Sequence, residues 1–375
     1  MKSVFFLIFI LQTVFPFFHN FPKLPKSTFL HMKFDQNMDY PYSKEYYEFY
    51  QKYKNPPKGL QSNFVNYKHF AEKKQKNYII FEKNVQLILE TNNLLQNNNN
   101  SFSVGLNYYS DEVDMDSSLP SDLNNNIDEF NSYSKLEFSN YFKFFKNPYH
   151  YFHNSFLNTT FSWNDTDYLS PVKNQGQCGS CWAFSTTSVV ESFMRIHNLS
   201  VDRLSEQQLV DCSTENYGCQ GGFMHTALDF IIENKGLLSN SQYKYKATDQ
   251  PCSNITKTIP NVFGSNITDY EFVIPGSIFD LKNSVIQTPV SIAIDANNVY
   301  FRFYKEGVID VPYNVSKTIN HAVTLVGFDY DENGMYWIIQ NSWGTQWGEH
   351  GYCKVRAYHG EGVLLCQKYG VFPIL

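Results

Sequence analysis

Gln175-Gly176-Gln177-Cys178-Gly179-Ser180-Cys181-Trp182-Ala183-Phe184-Ser185 sets a cysteine at the start of a helical segment, behind a glycine-containing turn that carries a side-chain amide, Gln175. A thiol attacks only as thiolate, and the positive end of a helix dipole lowers its pKa. Taken alone, the Cys178-x-x-Cys181 spacing also fits a redox pair, half of a zinc site or two structural cysteines. The rest of the chain discriminates among these.

All seven cysteines fall after position 170: Cys178, Cys181, Cys212, Cys219, Cys252, Cys353 and Cys366. An odd count in a secreted chain leaves one thiol free, and three bridges plus one nucleophile uses them all. The competing reading is a set of reduced cysteines in a cytosolic core. The N-terminus speaks against it. Met1-Lys2-Ser3 precedes the apolar run Val4–Leu11, which reads as a secretory signal over residues 1–20. The run stops at Gln12 and Thr13, too short for a span of about 20 residues. No clean cleavage site follows, so retention as an anchor is the alternative. The net charge of −6 arises from 30 basic and 36 acidic residues with no basic patch, which excludes a nucleic-acid partner. Aromatics make up 17% of the chain beside many asparagines, a bias of composition before it is a sign of function.

The first 156 residues lack cysteine and contain the polar run Gln96–Asn100, a solvated loop. Just before it, Asn77 to Leu95 has helical periodicity, with Phe81, Asn84, Ile88 and Asn92 on one face. From Leu157 onward the pattern is that of a folded enzyme. A helix is predicted from Cys181 to about Arg195, its apolar face made by Trp182, Ala183, Val189, Val190 and Phe193. Ser205 and Gln208 form a capping box for a helix beginning near Glu206. A further helix, Phe223 to Glu233, ends at Lys235-Gly236. Beyond about residue 270, Val290–Ile294, Ala322–Gly327 and Tyr336–Ile339 read as strands. Helices followed by strands imply an α+β fold with two lobes.

A nucleophilic Cys181 needs a base. His321 heads a strand in Ile319-Asn320-His321-Ala322-Val323, and an imidazole beside a thiol holds the pair as thiolate and imidazolium. Asn341, in Gln340-Asn341-Ser342-Trp343-Gly344, offers a carbonyl to fix the imidazole's tautomer and orientation, and the Trp343 indole can shield that bond from water. Gln175 can donate to a developing oxyanion together with the Cys181 main-chain N–H. Each residue alone has a bland reading as a core histidine, a turn asparagine or a loop glutamine. Their joint order is specific. A zinc site would need a second close pair, which Cys212 and Cys219 do not make, and no βαβ unit surrounds the Cys-x-x-Cys as a thioredoxin-like enzyme requires.

Cys178-Gly179-Ser180-Cys181-Trp182, Gly218-Cys219-Gln220-Gly221-Gly222, Asn320-His321-Ala322-Val323 and Asn341-Ser342-Trp343-Gly344 together resemble the papain-like cysteine proteases, whose local signature is C-G-[SA]-C-[WY]. The resemblance covers residues 157–375 well and 70–111 loosely. It implies a two-lobe papain-like fold of α+β class, with a helical left lobe and a barrel-like right lobe, as the catalytic domain at 157–375. Upstream, Phe81, Asn84, Ile88 and Asn92 and the stretch Gly105–Asp111 resemble two motifs of cathepsin L-like propeptides, implying an inhibitory, mainly helical propeptide at 21–156. That pattern opens with Glu and Arg, where this chain has Lys73 and Asn77, and Tyr109 stands where Phe is usual.

The resemblance further implies a cysteine endopeptidase acting on proteins and peptides through Cys181, His321, Asn341 and Gln175. Gly221 and Gly222 would hold the substrate backbone, while Phe223, Met224, Ala293 and Ile319 line the S2 pocket and Trp343 borders the cleft. All four pocket residues are apolar, as suits Leu, Val or Phe at P2. No exopeptidase-type insertion is evident, and the retained catalytic positions argue against a silent binding or storage protein. Bridges Cys178–Cys219 and Cys212–Cys252 carry over, whereas Cys353–Cys366 is paired by elimination because the family's usual third bridge has no counterpart here. The segment from Cys366 to Pro373 is short, which obscures the floor of the pocket. Also implied are cystatin-like inhibitors as partners, a monomer without cofactor or metal, and a lysosome-like or extracellular destination. Asn158, Asn164, Asn198, Asn254, Asn266 and Asn314 head glycosylation sequons.

Overall fold

The computed structural model describes residues 41–54, 70–71, 74–98, 100–112, 159–253, 267–312 and 315–375. Apart from Pro41, they belong to one compact unit, Tyr42–Leu375. The expected signal at 1–20, Lys73 and the sequons at Asn158, Asn254, Asn266 and Asn314 lie outside the described residues.

Helices are α1 (Ser43–Tyr53), α2 (Gln75–Asn97), α3 (Cys181–Ile196), α4 (Glu206–Cys212), α5 (Met224–Glu233), α6 (Ile278–Gln287) and α7 (Val299–Arg302). The helix predicted from Cys181 is α3, and it is buried on nearly every side from Cys181 to Met194. Its apolar residues pack with Leu204, Leu209, Ala227, Leu228 and Ile231 of the helical lobe. The polar side chains on its other faces are also buried, and most of them find a partner. Ser185 Oγ donates to the Val323 carbonyl at 2.8 Å, Thr186 Oγ1 to the Trp182 carbonyl at 2.8 Å, and Ser192 Oγ to the Ser188 carbonyl at 2.8 Å. Sequence periodicity showed only the apolar face, because a buried hydroxyl that bonds the main chain looks the same in sequence as a solvated one.

One charged cluster is sealed inside this lobe. Lys173 Nζ lies 2.6 Å from Glu191 Oε1 on α3 and 2.7 Å from Glu206 Oε1 on α4, and it donates to Thr187 Oγ1 at 3.0 Å. Ser170 Oγ and the Leu204 N–H also donate to Glu191. Ser205 caps α4 by accepting from the Gln208 N–H at 3.0 Å, but the Gln208 side chain does not close the predicted box. Its Oε1 instead accepts from the Leu238 N–H at 2.7 Å, tying α4 to the following chain. Helix α5 ends as expected near Gly236, where Lys235 and Gly236 both take positive φ and the Gly236 N–H returns to the Ile231 carbonyl.

The second lobe is an eight-stranded sheet ordered β3 (Asp269–Phe272), β10 (Gly370–Ile374), β4 (Val290–Ile294), β7 (His321–Asp331), β8 (Gly334–Gln340), β9 (Tyr352–Arg356) and β6 (Val308–Ile309), with β2 (Phe161–Ser162) also paired to β7. The strands are antiparallel except β6 with β9. Both faces of β4 and most of β7 are buried, which is why they read as continuous apolar runs. Gly327 lies where β2 crosses β7; a Cβ there would come within 2.2 Å of the Phe161 carbonyl oxygen. Trp163 fastens this N-terminal strand through its Nε1, which donates to the Val285 carbonyl at 2.6 Å.

Disulfides join Cys178 to Cys219 and Cys212 to Cys252. The third pairing, Cys353 with Cys366, is corrected: both are free, fully buried thiols in the core of the sheet lobe. Burial pushes the Cys353 thiol well up and the Cys366 thiol up to about 12. Held protonated, they pack as small apolar groups and lack the thiolate that disulfide exchange requires.

The N-terminal segment forms a separate layer. Tyr46 and Phe49 of α1 pack against Phe81 of α2 in tilted contacts, at 4.9 Å between ring centroids in each case. Asn84 and Asn92 lie on one face of α2, as their spacing predicts. Asn84 Nδ2 donates to the Ser110 carbonyl, and Asn92 exchanges two bonds with Val104, at 2.8 and 3.0 Å. These bonds hold β1 (Ser103–Val104), which pairs with β5 (Tyr304–Glu306) of the sheet lobe.

Lys173→Met would leave two buried carboxylates facing each other without their shared cation. It should destabilise the protein by about 3–5 kcal/mol in chemical denaturation, and Glu191→Gln with Glu206→Gln should restore much of that loss. An unchanged unfolding midpoint in Lys173→Met would show that the cluster is solvated.

Candidate active site

Cys181 is the first residue of α3, with Ser180 at the N-cap, so its thiol sits at the positive end of the helix dipole. It is fully buried, and the Ala322 main-chain N–H donates to its Sγ at 3.2 Å. His321, the preceding residue, begins β7. The helix end and the strand start, far apart in sequence, therefore meet at the sulfur.

His321 Nε2 lies 2.8 Å from Asn341 Oδ1. The same oxygen accepts the Ser342 N–H at 2.8 Å, which fixes the orientation of the asparagine amide. An oxygen facing Nε2 requires that Nε2 carry the proton, leaving Nδ1 as the basic nitrogen. The Trp343 indole covers this bond, with its ring centroid 4.9 Å from that of the imidazole, and Phe301 closes another side at 6.0 Å. Burial lowers the His321 pKa from 6.5 to about 4, although the bond to Asn341 acts to raise it. In this closed state the imidazole is neutral at ordinary pH.

Gln175 is clamped at both ends of its amide. Oε1 accepts from Ser342 Oγ at 2.6 Å, and Nε2 donates to the Cys178 carbonyl at 2.9 Å. One Nε2 hydrogen remains for a ligand. Its main-chain N–H donates to the Ser342 carbonyl at 2.9 Å, so Gln175 and Asn341 are held through one intervening residue.

Gly221 adopts φ 124°, and a Cβ on Gly222 would lie 2.7 Å from the Trp182 ring, so both positions require glycine. Phe223 caps α5 from outside, its N–H held by Asn216 Oδ1 at 2.6 Å. Met224, Ala293 and Ile319 are buried in one apolar cluster with Tyr369 and Val371, and Phe223 packs against it half-exposed. The Tyr369 hydroxyl lies 2.9 Å from His225 Nδ1. Burial lowers the His225 pKa to about 4. Asn164 and Asn198, the two sequon asparagines among the described residues, are both exposed.

The 100–112 segment reaches this site. Gly105 N–H donates to the Phe303 carbonyl at 2.8 Å, and Asn107 Nδ2 to the Arg302 carbonyl at 2.7 Å. Tyr109, fully buried, lies on Trp343 at 5.1 Å, and Glu112 accepts from Gln177 Nε2 beside the nucleophile loop. Asn77 reaches Asp111 only by long bonds of 3.3 and 3.5 Å. The charge opposite Asp111 comes from Lys54, 2.9 Å away, which also pairs with Glu112 and sits 3.7 Å above the Tyr108 ring. Burial lowers the Lys54 pKa, but its bonds to Glu112 and Asp111 outweigh that and raise it. Sequence reading missed Lys54 and Glu112. They belong to no periodic face, and Lys54 acts across a long gap in sequence. Among the described residues no group of His, Cys, Asp and Glu is arranged to hold a metal ion.

A family model described as papain family cysteine protease matches residues 157–368. Senescence-specific cysteine protease SAG12 of Arabidopsis thaliana is 34% identical over 290 residues, covering 76% of this chain and 80% of that protein. Human cathepsin L2 is 42% identical over 200 residues, covering 52% of this chain and 59% of its own length. Among solved structures, digestive procathepsin L2 proteinase of Tenebrio molitor larval midgut superposes with a TM-score of 0.69 at 29% identity, covering 89% of this chain and 99% of that one. A site of this geometry within these matches leaves one assignment: the chain belongs to the papain family of cysteine proteases and is a cathepsin L-like proenzyme.

Proposed function

We propose that the protein is a secretory-pathway cysteine endopeptidase in which Cys181, His321 and Asn341 form a catalytic triad and residues 21–156 act as an acid-released propeptide on a catalytic domain at 157–375. The observation that carries this reading is the line from Asn341 Oδ1 to His321 Nε2 at 2.8 Å, continued at the next residue by the Ala322 N–H on Cys181 Sγ at 3.2 Å. With Nε2 bonded to Asn341, Nδ1 is the nitrogen that takes the thiol proton. The thiolate adds to the substrate carbonyl, and the oxygen that becomes negative is met by the free Nε2 hydrogen of Gln175 and the Cys181 N–H. Collapse breaks the C–N bond as the imidazolium protonates the departing amine. Water, deprotonated by His321, then cleaves the thioester and regenerates the thiol. Cystatin-like inhibitors, a monomeric state, carbohydrate on Asn164 and Asn198, and a lysosome-like or extracellular destination accompany this reading. No helix among the described residues is long and apolar enough to cross a membrane.

Specificity follows from the cluster of Met224, Ala293, Ile319 and Tyr369. The Tyr369 hydroxyl is turned to His225, which stays neutral above about pH 4, and the neighbouring Asp229 is bonded to the Tyr270 hydroxyl. A P2 arginine entering this pocket would lose its hydration without gaining a carboxylate.

Acid release is read from His321, which the closed state buries, while Lys54 pairs with Asp111 and Glu112 in the segment that carries Tyr109. The His321 pKa is depressed in the closed state, so below the ordinary 6.5 a wetted imidazole takes a proton that the buried one refuses until about 4. The closed state accordingly loses stability as pH falls through that window.

Cys181→Ala should abolish peptide hydrolysis while the chain stays folded, and Asn341→Ala should lower kcat by roughly 10²-fold, the scale of a general acid–base contribution. Wild-type turnover in Cys181→Ala would overturn the assignment. In a fluorogenic series varied only at P2, Leu, Val and Phe should exceed Arg by at least about tenfold in kcat/KM; equal cleavage after P2 Arg would place an acidic side chain in the pocket. Lys54→Met should move the onset of self-processing to higher pH, because two carboxylates lose their cation. An onset identical to wild type, read by gel across a pH series, would remove that ion pair from the account.

A further inference from the structure

The loop that follows the helical lobe carries a residue with no role in the chemistry above. Tyr245 packs its ring on Phe184 of α3, edge to face at 4.7 Å. Its hydroxyl lies 2.7 Å from the Gln175 carbonyl and 2.6 Å from Ser180 Oγ. A carbonyl can only accept, so Tyr245 donates to Gln175 and Ser180 donates to Tyr245. The result is a directed chain from the N-cap of the nucleophile helix to the main chain of the residue offering the oxyanion amide.

The loop is anchored on its other side. Gln207 of α4 accepts from the Lys246 N–H at 2.7 Å and donates to the Thr248 carbonyl at 2.8 Å. The Tyr243 hydroxyl donates to Asp211 at 2.8 Å. Ala247 Cβ stands 3.4 Å from where a side chain on Gly176 would begin, so the loop backs the Gln175–Gln177 turn directly. Burial holds the Tyr245 hydroxyl protonated, which keeps it a donor.

We propose that Tyr245 is a positioning residue for the oxyanion hole: its hydroxyl locks the Gln175 main chain to Ser180, so that the Gln175 amide and the Cys181 N–H keep a fixed separation. This rests on the reading of those two groups as oxyanion donors. Without the hydroxyl, the Gln175 side chain keeps its bonds to Ser342 and Cys178, but the turn carrying it loses its tie to the helix that carries the sulfur.

The test uses the acid-processed enzyme with Tyr245→Phe, which retains the ring on Phe184. Peptide hydrolysis is compared with alkylation of Cys181 by iodoacetamide, a displacement that forms no oxyanion. The expected loss in kcat is about tenfold, a fraction of the 10²–10³ lost when an oxyanion donor is removed outright. KM and the alkylation rate should stay within about twofold, and affinity for a peptide aldehyde, whose thiohemiacetal places an oxygen in the hole, should fall with kcat. Ser180→Ala, which cuts the same chain at its other end, should show the same split. Unchanged kcat in Tyr245→Phe beside a crippled Gln175→Ala would overturn the positioning role alone. Alkylation falling in step with kcat would overturn it too, since the hydroxyl would then be shaping the nucleophile. Full kcat in Gln175→Ala would sink the oxyanion reading and this proposal with it.

Discussion

The Ala322 N–H donates to Cys181 Sγ across 3.2 Å, and at that contact the first turn of a buried helix meets the first residues of a central strand. The other features of the site depend on keeping these two elements in register. Helix α3 cannot slide, because its apolar faces are packed and its polar faces are bonded to Val323, Lys173 and Leu204. Strand β7 cannot shift, because β4, β8 and β2 all pair with it. A slip of one residue would turn His321 to the opposite face. The helical lobe thus supplies Cys181 and the sheet lobe His321, the two members of the proposed reactive pair.

Asn341 and Gln175 extend the same constraint. Ser342 serves both, its N–H on Asn341 Oδ1 and its Oγ on Gln175 Oε1. One residue therefore orients both the Asn341 amide that faces His321 and the Gln175 amide. Trp343 and Phe301 keep water from the imidazole, and Tyr109 of the N-terminal layer lies on Trp343 in turn. Covering the site in this way favours neutral His321, whereas a thiolate–imidazolium pair needs the charged form.

Much of this was legible in the sequence because it is local. The start of α3, the strands at 290–294 and 336–339, and the Asn84 and Asn92 face of α2 each declare themselves within a few residues. The order of Cys181, His321, Asn341 and Gln175 pointed to chemistry without showing geometry. What stayed hidden is built from single contacts between distant positions. Lys54 meets Asp111, Tyr245 meets Gln175, and Lys173 meets Glu206, and none of these leaves a period to read. The pairing of Cys353 with Cys366 failed for a related reason. Elimination counts cysteines but cannot see that both thiols are sealed in an apolar core.

Three cysteines are free among the described residues, and a sharp difference among them is the core of this account. Cys353 and Cys366 are held protonated by burial, while Cys181 stands at a helix N-terminus and accepts the main-chain N–H of the residue that follows His321. The most direct measurement is peptide mapping after brief iodoacetamide treatment of the native, acid-processed protein at mildly acidic pH. The account predicts carbamidomethyl on Cys181 alone, and little on Cys181 when the intact proenzyme is treated at neutral pH. Label on Cys353 or Cys366, or a Cys181 that stays unlabelled after processing, would contradict it.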